Sequence, residues 1–127
     1  MKEIIRTSDA PAAVGPYSQG VKIKCGTMIF CSGQIPLNPK DGKMVGNTAA
    51  EQTEQVLKNL QAILSAGGAN LKDLVKTTIF LADMNDFAAV NEVYAKHFIE
   101  NMPARAAVAV TCLPKNARVQ IEAIAII

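Results

Sequence analysis

Arg105 stands in Met-Pro-Ala-Arg-Ala-Ala-Val-Ala-Val, residues 102–110, a run that carries no other charge. A guanidinium among small apolar residues is costly to bury without a partner. Its planar fork matches a carboxylate through two parallel hydrogen bonds. The next acid downstream is Glu122. The partner is therefore either a distant acidic side chain, which makes Arg105 half of a structural ion pair, or a small anionic ligand, which makes it a receptor for a carboxylate substrate. Other candidates for chemistry are weaker. Cys25, Cys31 and Cys112 are odd in number and widely spaced, and His97 is the single histidine. Metal-ligand spacing is absent. The thiols read as small, reduced core residues of a cytosolic protein. Cys112 becomes a nucleophile only if the fold brings His97 to it as a base.

The elements that must position Arg105 are legible in outline. At 127 residues the chain is expected to form one domain spanning 1–127, long enough to bury a proper core. The second of two short strands, Met28 to Ser32, is nearly all apolar; the first, Gly20 to Lys24, joins it at Cys25-Gly26-Thr27. Residues 36–47 are rich in turn formers. Thr48 and Glu51 have the spacing of a capping box at the head of a helix over 48–66, whose apolar stripe is Val56, Leu57, Leu60, Ile63 and Leu64, and Gly67-Gly68 stops it. Leu74 to Ala82 reads as a strand. A second helix over about 85–99 carries the stripe Phe87, Val90, Tyr94 and Phe98. Pro103 separates it from the strand holding Arg105, and after a turn at Leu113 to Asn116 the last strand runs from Arg118 to Ile127. On that strand Val119, Ile121, Ala123 and Ala125 share one face, and Gln120, Glu122, Ile124 and Ile126 the other. Both faces are apolar enough to be covered. Helices separated by strands pack on one face of a mixed sheet, so the other face is expected to meet another subunit.

Composition excludes several classes. Net charge is +2, and Lys22, Lys24, Lys72 and Lys76 are scattered rather than clustered, so nothing calls for nucleic acid as a partner. No stretch is long and apolar enough to span a membrane, and Met1 to Thr7 starts with charge and lacks an apolar signal core, so a cytoplasmic location is expected.

Ala10-Pro11-Ala12-Ala13-Val14-Gly15-Pro16-Tyr17-Ser18-Gln19-Gly20 resembles the N-terminal signature of the RidA/YjgF family of reactive-intermediate deaminases. Ser32-Gly33-Gln34-Ile35-Pro36 is similar to its second motif. Asp83 to Phe87 with Val90 to Tyr94 is similar to its third. Pro103-Ala104-Arg105-Ala106, Leu113-Pro114-Lys115 and Val119 to Ala125 are similar to its C-terminal signature. The resemblance covers essentially the whole chain, with the motifs in order. It implies an α+β, chorismate-mutase-like (YjgF-like) fold, a mixed six-stranded sheet with two helices on one face, and a homotrimer with a ligand cleft at each subunit boundary. It also implies hydrolysis of 2-enamino or 2-imino acids to 2-oxo acids and ammonia, without cofactor or metal. Arg105 would clamp the substrate carboxylate, and Ser32 with the Gly33 N–H would bind the same carboxylate or the tetrahedral centre. Tyr17, Phe87 and Asn91 match positions that line the family's cleft. Each also has a plainer reading: a loop pin for Tyr17, core for Phe87, an exposed helix residue for Asn91, a local backbone cap for Ser32.

Two departures from the family pattern stand out. Gln120 replaces the usual Glu, the group thought to orient and activate the attacking water; an amide oxygen can hold a water but cannot take its proton. Ala107 stands where a Cys is frequent. Glu122 shares the strand face of Gln120 and is expected to be an ion-pair partner rather than a substitute base. A trimeric 2-oxo acid binding or regulatory protein with little turnover is therefore the alternative to an enzyme. The ribonuclease and translation-inhibitor descriptions attached to some relatives find no acid–base pair and no basic surface here.

Overall fold

Residues 2–127 are described by the structure, a computed structural model; Met1, where the reading of the charged N-terminus begins, lies outside the described residues. The chain runs through β1 (Lys2–Ile5), β2 (Gly20–Ile23), β3 (Met28–Gln34), α1 (Ala49–Ala66), β4 (Leu74–Leu81), α2 (Phe87–His97), β5 (Ala104–Ala109) and β6 (Val119–Ile126). The fold is α+β, with two helices and a mixed sheet. That sheet has the order β3-β6-β4-β5. Its pairs are antiparallel except β4 with β5, which is parallel because α2 crosses over between them.

The expected six-stranded sheet is instead two sheets. β1 pairs with β2 in a separate antiparallel ribbon. The approach to β2 meets the main sheet at the isolated bridge of Ser18 to Ala104, and Lys2 Nζ of β1 donates to the Leu74 carbonyl of β4 at 2.7 Å. The Ser18 N–H donates to the Pro103 carbonyl at 3.0 Å and its hydroxyl donates to the Met102 carbonyl. Pro103 has no N–H to carry that ladder further back. Residues 25–27 join β2 to β3 as expected, but the two strands pair with different partners, β1 and β6.

Local signals account for the helices. The Thr48 hydroxyl accepts from the Glu51 N–H at 3.2 Å, while the Glu51 carboxylate accepts from the Asn47 N–H at 3.1 Å, one residue earlier than a capping box requires. The Gly67 N–H closes α1 on the Ile63 and Leu64 carbonyls. α2 starts two residues later than its expected boundary, because Asp83 accepts from the Asn85 N–H and holds Met84–Asp86 in a 3-10 turn.

The helix stripes meet one face of the sheet. Val56, Leu57, Leu60 and Leu64 of α1 and Val90 and Tyr94 of α2 are fully buried against Ile79, Leu81, Val119, Ile121, Ala123 and Ala125. Leu60→Ala, at the centre of that packing, is expected to lower unfolding free energy by about 2–5 kcal/mol in urea titrations. The opposite sheet face is bare. Phe30 is 69% exposed, Met28 52% and Val108 43%. Of the thiols only Cys31 lies in the core, where burial raises its pKa; Cys25 and Cys112 are exposed because each sits on a connection rather than on a strand. No helix among the described residues is long and apolar enough to cross a membrane.

Candidate active site

β5 enters the sheet beside β4, and register decides where its side chains go. Arg105 pairs with Thr77, and Thr77 pairs with Ala123. Thr77 and Ala123 are buried on the helix side. Partners directly across a ladder share a face, so Arg105 also points to the helix side, toward α2.

There the guanidinium is half-buried among aromatic rings. Its carbon lies 5.1 Å from the Tyr94 ring centre, 5.4 Å from that of Tyr17 and 5.6 Å from that of Phe87. Cation–π attraction at these distances compensates part of the lost hydration. Nη1 donates to Asn91 Oδ1 at 2.6 Å. No acidic side chain pairs with Arg105 among the described residues. Burial pulls its pKa below the ordinary value, and Tyr94 and Tyr17 oppose that pull. Of the two readings left open, the permanent ion pair is not the arrangement found. The charge is housed but not neutralised, which is what a receptor for an anion requires.

Asn91 is thus a partner of Arg105 and not merely an exposed helix residue. Phe87 serves twice, partly packed on the core and facing the guanidinium. Tyr94 was legible as core; its second role was not. It is fully buried, stacks on Phe98 at 4.4 Å and shares a 2.8 Å hydrogen bond with the Thr77 hydroxyl. Burial pushes its pKa up to about 12, against the opposing pull of the Thr77 bond and of Arg105. It therefore stays a neutral phenol beneath the guanidinium. The spacing of Phe87, Asn91 and Tyr94, at i, i+4 and i+7, was the available signal, since such residues share a helix face.

Ser32, Gly33 and Gln120 lie elsewhere. Gln120 pairs with Phe80, and Phe80 with Val108, three positions along each strand from the Arg105 rung and therefore on the opposite face. β3 bulges between Cys31 and Gln34. The bulge brings Gly33 against the Gln120 amide and leaves Ser32 exposed on the bare face, beside Phe30, Thr78 and Glu122. Within one chain the expected site residues form two groups separated by the thickness of the sheet: Tyr17, Phe87, Asn91 and Arg105 on one side, Ser32, Gly33 and Gln120 on the other. Glu122 is exposed and makes no ion pair among the described residues, contrary to expectation, although Lys76 of β4 lines the same part of the bare face. His97 bonds Glu54 of α1 at 3.1 Å and forms no pair with Cys112. No cluster of His, Cys, Asp and Glu that could hold a metal occurs among the described residues.

Gly33 has no side chain for a reason the geometry supplies. A Cβ there would stand 2.4 Å from Gln120 Nε2 and 2.9 Å from its Cδ. Gly33→Ala is expected to fold with stability close to wild type, since the flexible end of Gln120 can swing away, yet to displace that amide. Turnover is expected to fall about tenfold while the melting temperature moves little; unchanged turnover would show that the placement of Gln120 is irrelevant.

A family model described as Endoribonuclease L-PSP matches residues 7–127. A RutC family protein of Pyrococcus horikoshii is 54% identical over 125 residues, covering 98% of both chains. The human protein named 2-iminobutanoate/2-iminopropanoate deaminase is 48% identical over 126 residues, covering 99% of this chain and 90% of its own. Among solved structures, RidA from an Antarctic Psychrobacter superposes with a TM-score of 0.77 at 43% identity, covering 98% of this chain and 99% of that one.

Proposed function

The chain belongs to the endoribonuclease L-PSP family, that of the RidA and YjgF proteins, and from that membership we propose that it is an imine deaminase. It adds water to the C=N bond of small 2-imino acids, 2-iminopropanoate and 2-iminobutanoate, and of enamine tautomers such as 2-aminoacrylate. The products are 2-oxo acids and ammonia, and the reaction needs no cofactor. The observation that carries this reading is Arg105: a half-buried guanidinium boxed by rings, held at one nitrogen by an amide and paired with no carboxylate among the described residues.

The substrate carboxylate takes the edge of Arg105 that Asn91 leaves unused, in a charge-assisted clamp. That fixes C2 for attack and turns an encounter into an oriented one. Water adds to C2 as the C=N π pair moves to nitrogen, which takes up a proton. The carbinolamine then collapses, the C–N bond breaks and ammonia leaves. Gln120 orients the water through its amide oxygen but does not accept its proton, so that proton passes to solvent or to the substrate nitrogen. Ser32, Gly33 and Gln120 reach the substrate from a neighbouring copy, whose bare sheet face carries them. The assembly is a homotrimer of chorismate-mutase-like architecture with a cleft at each boundary. The exposure of Met28, Phe30 and Val108 supports burial of that face. Cysteine usage supports a cytoplasmic setting.

The test is 2-oxo acid release from 2-aminoacrylate generated in place by a pyridoxal-phosphate lyase acting on serine. Release above the rate in buffer is expected; no acceleration refutes an enzyme. Gln120 favours one second reading, a trimer that binds 2-oxo acids with little turnover. A net charge of +2 gives the ribonuclease activity in the family's name no electrostatic support here.

A further inference from the structure

The edge of Arg105 that would meet a ligand is bordered by a segment no strand or helix holds. Residues 6–19 connect β1 to β2, and those from 6 to 17 are mostly exposed, with Val14 91% exposed. Yet this segment brings the Tyr17 ring onto the guanidinium. It also brings Gly15 beside Nη2: a Cβ built on Gly15 would stand 3.6 Å from Arg105 Nη2 and 3.6 Å from the Tyr17 ring. Nη1 is already taken by Asn91. Gly15 therefore faces the nitrogen left for a ligand, and its backbone is not in the left-handed region, so glycine is not required there for conformational reasons.

Ser18 pins the end of the connection to the Met102 and Pro103 carbonyls, and Gln19 ties in its first half. Gln19 Oε1 accepts from the Thr7 N–H at 2.8 Å, while its Nε2 donates to the carbonyls of Thr7 at 3.1 Å, Ala10 at 3.3 Å and Pro11 at 2.6 Å. The other bonds within the segment are local, Asp9 N–H to Thr7 Oγ1 and Tyr17 N–H to the Gly15 carbonyl. Beside it lies an open pocket of about 370 Å³ lined by Ile4, Arg6, Ala13, Tyr17 and Gln19, and within residues 6–17 Pro16 alone is buried. A stretch with few buried contacts takes its position from whatever polar ties it has.

We infer that residues 6–17 form one wall of the anion pocket, that Gln19 is the positioning residue that sets this wall, and that Gly15 is the position on it that admits the ligand to Nη2 of Arg105. Gln19 acts through Gly15 and Tyr17 and does not touch the ligand. Gly15 is specificity-determining because bulk there closes the open edge without disturbing the fold. The inference rests on the reading of Arg105 as a carboxylate receptor and names two residues that reading leaves unassigned.

The experiment measures binding of 2-oxobutanoate by NMR titration and, in parallel, KM and kcat for 2-iminobutanoate hydrolysis. Wild type is expected to bind and Arg105→Ala not to. Gln19→Leu and Gly15→Val are each expected to weaken binding about tenfold and to raise KM by a similar factor. kcat should stay within about twofold and melting temperatures within about 3 °C. The double variant is expected to be no worse than the weaker binder of the two, because once the wall has drifted, bulk at position 15 no longer meets the ligand. Gln19→Glu keeps the acceptor for Thr7 but aims a carboxylate at three carbonyls, and is expected to behave like Gln19→Leu. Wild-type affinity in Gln19→Leu or in Gly15→Val overturns the inference while leaving the receptor reading intact, as do strictly additive losses. Equal binding by wild type and Arg105→Ala, or none by either, overturns the receptor reading and this inference with it.

Discussion

Arg105→Ala is expected to lower kcat/KM by about 10² to 10⁴-fold and to leave the fold almost untouched. The first half follows from the clamp. Two charge-assisted hydrogen bonds are worth about 1.5–3 kcal/mol each, and each 1.36 kcal/mol is tenfold in rate. The second half follows from what surrounds the group. A guanidinium locked to an internal acid would leave that acid buried and unpaired when removed, at a cost of about 3–5 kcal/mol. Among the described residues no acid pairs with Arg105, and the loss orphans the Asn91 amide, which lies at a partly exposed position. Removing a charge that burial already penalises offsets part of that loss. Arg105→Lys separates charge from geometry. It keeps the cation but not the fork or the flat surface that fits between Tyr17, Phe87 and Tyr94, so it is expected to recover little of the lost kcat/KM. Steady-state kinetics alongside thermal melts decide the matter. A variant that melts far below wild type, or one that turns over normally, contradicts this account of Arg105.

Gln120→Glu is expected to raise kcat by about 10² or more, within the range general-base assistance supplies. It should also create a pH dependence the native protein lacks. A glutamine does not titrate, so no carboxylate limb is expected in the wild-type profile. In the variant the rate should rise with pH as the new carboxyl ionises. That carboxyl belongs above the usual glutamate value, because Glu122 lies two residues along on the same strand face, roughly 6–7 Å away, and like charges disfavour ionisation. The sign is fixed: a base must be deprotonated to act, so activity is lost on acidification through the raised pKa. A pH–rate profile of both proteins makes the comparison. If the substitution leaves kcat and its pH profile as they were, Gln120 has no part in handling the water, and the binding-protein reading loses the observation that favours it.

The same geometry makes the assembly testable through these residues. Arg105 and Gln120 occupy opposite faces of one sheet, so a single chain cannot bring both to one substrate. A mixture of Arg105→Ala and Gly33→Ala protomers, each impaired alone, is the natural extension of the single-variant kinetics. Recovery of turnover on mixing follows only if the two groups are contributed by different copies.

What the sequence determined by itself is what short-range physics controls. The stripe Val56, Leu57, Leu60 and Leu64 set the buried face of α1, Thr48 began that helix and Gly67 ended it, because periodicity and capping act within a turn or two of chain. The alternation along β6 set which of its residues share a face, since a strand's side chains must change face at every step, but docking against the helices decided which face enters the core. The motif order was enough for the family. Tertiary structure alone decided the rest. Lys2 to Ile5 is too short to declare itself a strand and becomes one by pairing with β2. Arg105 acquires Asn91 and its rings, and Gln19 gathers Thr7, Ala10 and Pro11, through contacts between segments that no local rule relates. The separation of Arg105 from Ser32, Gly33 and Gln120 depends on the register of β5 and β6 against β4. A shift of one residue would have turned every one of those side chains to the other face. Local pattern specifies the elements; only their register and docking specify which polar groups share a space.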